Sequence, residues 1–211
     1  MTGAFPPEFR AELHRLFAWR RDVRRFRSEP LDPALLDALL EAAASAPSVG
    51  LSQPWRFVRV DDARRRRAVR ANFERCNSDA LAAQPGERAG LYAQLKLAGL
   101  DEAPCQLAVF AEPDPAQGHG LGRRTMPETA AYSAVLAIGT LWLAARAEGV
   151  GLGWVSILNP CELAAALEVP PAWVFVAYLC LGYPDAESAT PALERAGWER
   201  RSPDAQLPLQ R

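Results

Sequence analysis

The sequence predicts a single domain of the α+β class, a central sheet covered by helices, and three observations carry that expectation. The chain has 211 residues, 49% of them hydrophobic, which suffices for one substantial core and matches the size of one domain. Short apolar segments of strand character are separated by longer segments with helical spacing, the pattern of a sheet with helices packed on it. The most apolar stretch, residues 130–147, contains Tyr132, Ser133 and Thr140 and ends at Arg146, so it reads as a core helix rather than a membrane span. A helix this apolar is hard to cover within one small subunit, which predicts that a second copy covers part of it in a homodimer.

The elements follow in order. Pro7 opens an amphipathic helix with Phe9, Leu13, Leu16 and Phe17 on one face, ending around Trp19. Asp32 as N-cap with Pro33 in the first helical position starts a second helix that runs to Ala44. SAPSVGLSQPW, residues 45–55, has the prolines, glycine and serines of a loop, and RFVRV after it reads as a strand. A helix is expected from Asp62 to about Phe73, a weaker one from Glu87 to Leu97, and a buried strand at LAVFA, residues 107–111. Pro127 and Glu128 open the long apolar helix, which Gly149 stops; GLGWVSIL, residues 151–158, reads as a strand leading into a turn. Asn159 and Pro160 start a short helix, and VFVAYLCLG, residues 174–182, is the most apolar strand. The tail, residues 184–211, is rich in proline and charge and cannot form a core alone; it is expected to be extended and to wrap a partner subunit.

Composition excludes several classes. Twenty-four basic and 25 acidic residues nearly cancel, so no global field favours nucleic acid or an anionic membrane surface. Arg64, Arg65, Arg66 and Arg67 follow Asp61 and Asp62 with no aromatic interleaving, as on a solvated helix face. The four cysteines form no CxxC pair, and His14 and His119 have no ligating neighbours. Neither a disulfide framework nor a metal site is expected. MTGAFPPEFRAEL lacks the basic and apolar regions of a secretory signal, which predicts a cytoplasmic protein.

RRDVRRF, residues 20–26, sets Arg20, Arg21, Arg24 and Arg25 around Asp22 where a helix gives way to irregular backbone. Guanidinium groups bind phosphate oxygens through paired, charge-assisted hydrogen bonds, so this is a candidate anion site, although a solvated arginine loop has the same composition. Together with SAPSVGLSQPW and with GVGLGWVS, residues 149–156, it resembles the nitroreductase family of FMN proteins, over roughly residues 9–183. The resemblance implies a nitroreductase-like FMN-binding fold with a mostly antiparallel sheet, in an intertwined homodimer. Asp22 stands where the redox enzymes of that family have a small hydroxyl residue. With MPETAAYS, residues 126–133, and GWVSIL, residues 153–158, it makes the chain similar to the family branch that converts reduced FMN and oxygen into 5,6-dimethylbenzimidazole and erythrose 4-phosphate for cobalamin. In that branch the flavin is the substrate, and a separate flavin reductase is expected to supply the reduced form.

The resemblance implies a role for particular residues. Arg20, Arg21 and Arg24 bind the phosphate and ribityl chain, with Asp22 and Val23 in the same segment, and Ser48 and Gln53 hydrogen-bond the ring or ribityl chain. Asp22, held ionised by the neighbouring arginines, moves protons, and it equally neutralises the arginine loop. Ser156 hydrogen-bonds near flavin N5 and C4a, where oxygen would add, although a strand serine has the same sequence signature. Residues 84–104 occupy the place of a lid that excludes water, with Tyr92, Lys96 and Leu97 available to close over the ring. Two other readings share these motifs: an NAD(P)H-dependent FMN nitroreductase or flavin reductase, and a non-enzymatic flavin-binding module.

Overall fold

The computed structural model of the chain describes residues 3–95 and 98–202. Its centre is a four-stranded sheet of β1 (Trp55–Arg59), β2 (Cys105–Ala111), β3 (Gly151–Val155) and β4 (Val174–Gly182), in the spatial order β1-β2-β4-β3. Each neighbouring pair is antiparallel. The inner strands β2 and β4 are the most apolar ones, with only Gln106 polar in β2, because both faces of the sheet are covered. Their side chains alternate accordingly. Ala108, Phe110, Tyr178 and Cys180 pack with Phe73 and Leu163 on one face. Leu107, Val109, Leu179 and Leu181 pack with Leu36, Leu39, Ile138 and Leu141 on the other.

The first face is covered by α3 (Ala63–Ala82) and α7 (Pro160–Leu167), the second by α2 (Pro33–Ala44) and α6 (Thr129–Ala147). Caps fix where these helices begin. Asp32 Oδ1 accepts from Ala34 N at 2.9 Å with Pro33 in the first turn, and Asn159 Oδ1 accepts from Glu162 N at 3.1 Å ahead of Pro160. α1 (Pro7–Trp19) lies against α6 and buries none of its residues, leaving Phe9 and Phe17 exposed.

The expectations differ from the structure in four places. α3 continues past Phe73 to Ala82, where Tyr92 Oη donates to Asn77 Oδ1 at 2.9 Å and ties the extension down. The helix expected over residues 87–97 is α4 (Glu87–Gln94), followed by the short α5 (Gly99–Glu102). The long core helix agrees with expectation in being left partly uncovered by its own subunit. Ala134, Ala137, Ile138, Leu141 and Ala145 have no exposure, while Tyr132, Val135 and Leu136 on the opposite face are 55, 43 and 50% exposed. Ser156 lies just past the end of β3. The described part of the tail is not extended throughout: it includes α8 (Ala192–Arg195) and packs on its own chain, through Arg146 to Glu187 at 2.6 Å and Trp198 against Tyr92.

Candidate functional site

Arg20 N closes the last turn of α1 on Leu16 O, and the chain then runs along the free edge of β3. Asp22 bridges Leu152 in parallel, Val23 N donates to Leu152 O at 3.0 Å, and Trp154 N donates to Asp22 Oδ1 at 2.9 Å. Phe26 is buried and bridges Pro184, and Arg27 N donates to Tyr183 O at 2.9 Å. Residues 22–26 thus occupy an edge that would otherwise present unpaired backbone. The two glycines of β3 permit the approach: a Cβ at Gly153 would sit 2.1 Å from Val23 O, and one at Gly151 would sit 2.8 Å from Val23 Cγ2. From the other side Trp142 of α6 donates Nε1 to Arg21 O at 3.0 Å and carries the Arg20 guanidinium 4.8 Å over its ring.

The arginines are placed to receive an anion. Arg21 donates to Arg20 O at 2.7 Å and to Ala189 O, yet its Nε and that of Arg24 are buried without a hydrogen-bond partner. Buried donors left in this state cost stability unless a ligand satisfies them. A cavity of about 290 Å³ opens here, lined by Arg20, Arg21 and Asp22 and, from the tail, by Glu194, Arg200 and Arg201. Burial, then the positive charges of Arg201 and Arg20, hold the Arg21 guanidinium below its ordinary pKa. Crowded cations with orphaned donors fit a phosphate, which supplies several acceptor oxygens and a compensating charge.

Asp22 corrects one expectation. Its carboxyl lies above the ordinary carboxylate range, because burial outweighs the Trp154 N–H bond and the attraction of Arg24 and Arg20, which act the other way. The Arg24 Nε to Asp22 Oδ2 separation of 3.6 Å is long. The side chain keeps 39% of its area exposed at one opening, but protein encloses it on its other sides. The arginines therefore offset burial only in part and do not set the charge of Asp22 by themselves.

The remaining expected residues divide. Ser156 is two residues beyond Trp154, about 7 Å along an extended chain, just past the end of the strand whose edge carries Asp22; it is exposed. Ser48 and Gln53 lie in a different region. Ser48 Oγ accepts from Gln53 N at 3.1 Å, Gln53 Nε2 donates to Ala44 O at 3.3 Å, and Gln117 Nε2 donates to Gln53 Oε1 at 3.3 Å. Leu51 and Gln53 are both left-handed, with φ of 55° and 43°, a conformation that costs a non-glycine residue energy and is found at constrained sites. Val49 N anchors this loop to Ser133 Oγ of α6 at 3.1 Å. Ser133 and Trp142 are nine residues apart, so the loop and the arginine segment meet α6 on opposite sides and about 14 Å apart along its axis. One subunit brings Arg20, Arg21, Asp22, Val23 and Arg24 together with β3 and leaves Ser48 and Gln53 elsewhere. Leu97 and Lys96 lie outside the described residues.

Sequence reasoning passed over Trp142, Trp154, Arg200 and Arg201. The tail arginines had a signal, a second paired cluster in WERRSP, residues 198–203; Trp142 had none, since its partners are distant in sequence. Among the described residues no group of acidic, cysteine or histidine side chains has the arrangement of a metal site. Burial pushes the Cys105 and Cys180 thiols up to about 11 and about 12, which leaves them unreactive core groups.

Comparison with known proteins agrees with this geometry. The model of the nitroreductase family matches residues 17–183. The 5,6-dimethylbenzimidazole synthase of Rhodospirillum rubrum is 59% identical over 199 residues, covering 94% of each chain. A protein of the same name from Rhodobacter capsulatus is 51% identical over 94% of this chain and 96% of its own. Among solved structures, an oxidised iodotyrosine deiodinase bound to FMN and 3-iodo-L-tyrosine superposes with a TM-score of 0.73 at 25% identity, over 94% of this chain and 97% of the other.

Proposed function

The chain belongs to the nitroreductase family, and from that membership we propose that it is a 5,6-dimethylbenzimidazole synthase, consuming reduced FMN and oxygen and releasing 5,6-dimethylbenzimidazole and erythrose 4-phosphate. The observation that carries the reading is Asp22, a carboxylate fixed by Trp154 N–H inside a phosphate-binding segment. Relatives of that name aligned over nearly the whole chain support it.

Reduced FMN supplies both the electrons that oxygen takes up and the carbon skeleton that is broken. The residues of this chain position it and move protons. Arg20, Arg21 and Arg24 hold the phosphate, joined by Arg200 and Arg201, and Val23 holds the segment against β3. One oxygen of Asp22 is occupied by Trp154 N–H. The other, Oδ2, takes and returns the proton, and burial, which raises its proton affinity above that of an ordinary carboxylate, favours that role. Ser156 extends the same strand edge with an exposed hydroxyl to hydrogen-bond the ring. Within the segment 84–104, α4 is the lid that excludes water.

Ser48 and Gln53 reach the same flavin from a second copy of the chain. Two apolar surfaces support this homodimer: the stripe of Tyr132, Val135 and Leu136 on α6, and Phe9 and Phe17 on α1, all between 43 and 55% exposed. Exposed apolar surface of this extent marks a protein interface. The separation of the two half-sites around α6 then means that neither subunit is complete alone. A separate flavin reductase delivers the reduced FMN, and the cytoplasm, where such reductases work, is the place of action.

The test is to mix the protein with reduced FMN without oxygen, admit oxygen, and follow flavin absorbance. Loss of the flavin chromophore supports the reading. Quantitative return of oxidised FMN overturns it, and steady oxidation of a nicotinamide with a nitroaromatic acceptor would instead indicate a nitroreductase.

A further inference from the structure

Residues 189–201 touch two regions that the fold keeps on separate elements. α8 is a single turn ended by Gly197, whose φ is 73°. Gly197 N donates to Glu194 O at 3.1 Å and Trp198 N to Leu193 O at 2.9 Å, the paired bonds of a left-handed helix cap. This reversal sets the Trp198 indole on α4, with ring centroids 6.1 Å from Tyr92 in an edge contact and the Arg88 guanidinium 5.5 Å away over its ring. Three residues on, Arg201 N donates to Glu194 Oε1 at 3.2 Å, and Arg200 and Arg201 line the cavity that holds Arg20 and Arg21. The same tail is gripped at its start by Arg21, which donates to Ala189 O.

We propose that Trp198 is a positioning residue that couples capture of the flavin phosphate to the placement of α4, so that the protein closes on phosphorylated flavin and not on its dephosphorylated form. The inference rests on the reading that FMN is the ligand. The cavity sets four guanidinium groups against the carboxyls of Asp22, Glu194 and Glu199, and a phosphate that offsets the excess positive charge draws residues 200–201 inward. Only Glu199 separates those residues from Trp198, so fixing them fixes the contact with Arg88 and Tyr92. Binding energy from the non-reacting end of the substrate is thereby spent on closure at the reacting end.

Limited digestion with trypsin reads α4 directly, because Arg88 lies in it, and oxidised FMN or riboflavin at matched occupancy avoids any turnover. In the wild type, FMN slows cleavage at Arg88 about tenfold more than riboflavin does, the effect of one aromatic contact. Trp198→Ala still binds FMN, by flavin fluorescence, but FMN and riboflavin then protect equally; Trp198→Phe restores the difference. With reduced FMN, Trp198→Ala lowers kcat more than it raises KM. FMN-specific protection that persists in Trp198→Ala overturns the coupling. So does equal protection by the two flavins in the wild type, a result that needs no variant to fold. The digestion involves no chemistry, so a wild type that shows the FMN-specific effect but releases no 5,6-dimethylbenzimidazole supports the coupling while overturning the fragmentation reading.

Discussion

Replacing Gly153 by alanine tests whether the contact between residues 22–24 and β3 builds the site. The added Cβ would lie 2.1 Å from Val23 O and 3.3 Å from Val23 C. A carbon and a carbonyl oxygen need about 3.3 Å, so the segment must retreat by roughly 1 Å. The obstacle is backbone, which cannot rotate away. Val23 N to Leu152 O, now 3.0 Å, and Trp154 N to Asp22 Oδ1, now 2.9 Å, then pass out of hydrogen-bonding range. Losing one neutral bond and one to a carboxylate costs about 3 kcal/mol, which for a chain of this length lowers Tm by about 9 °C. The shift also displaces Arg21 and Arg24, so FMN affinity falls at least about tenfold. Calorimetry and a fluorescence titration measure the two effects. Gly151→Ala is the control: its Cβ would meet only the Val23 side chain, at 2.8 Å, and costs about 1 kcal/mol after that side chain turns. A Gly153→Ala protein with wild-type Tm and FMN affinity would refute the placement of this segment.

Two further perturbations probe the same account. Asp22→Asn keeps an oxygen for Trp154 N–H and keeps FMN binding, but forms no 5,6-dimethylbenzimidazole. Because the folded-state pKa of Asp22 is raised, the ionised carboxylate destabilises the wild type at neutral pH, and that penalty is relieved as pH falls through the folded pKa. The variant therefore matches or exceeds the wild-type Tm at pH 7 and loses its advantage toward acid, as thermal unfolding across pH will read. Leu136→Glu, at a half-exposed position on α6, leaves the subunit folded but converts dimer to monomer in sedimentation, with at least about a tenfold loss of FMN affinity because Ser48 and Gln53 no longer meet the arginine segment. A Leu136→Glu dimer of normal affinity would count against the shared site.

The legible parts of the fold were those set by local chemistry. Asp32–Pro33 and Asn159–Pro160 mark helix starts because an N-cap and a first-turn proline act within a few residues. The end of α3 was not legible, since it depends on Tyr92 reaching Asn77 across fifteen residues. In α6 the exposed stripe is as apolar as the buried face, so hydropathy foretold that one subunit would leave part of it uncovered but not which face. In the site, residue types at 20–24 were readable, but their pairing with GLG at 151–153 was not, because the glycines signal a close backbone approach without naming the partner. The sign of the Asp22 shift was not, because counting neighbouring arginines omits desolvation. Nor could one chain's sequence reveal that Ser48 and Gln53 sit on the far side of α6.

The central claim is that flavin is consumed rather than recycled, and a product balance tests it most directly. After oxygen is admitted to a known amount of reduced FMN with the protein, chromatography should recover one 5,6-dimethylbenzimidazole for each FMN lost, with none formed by Asp22→Asn. Complete recovery of FMN as the intact oxidised flavin, with no benzimidazole, would contradict the account.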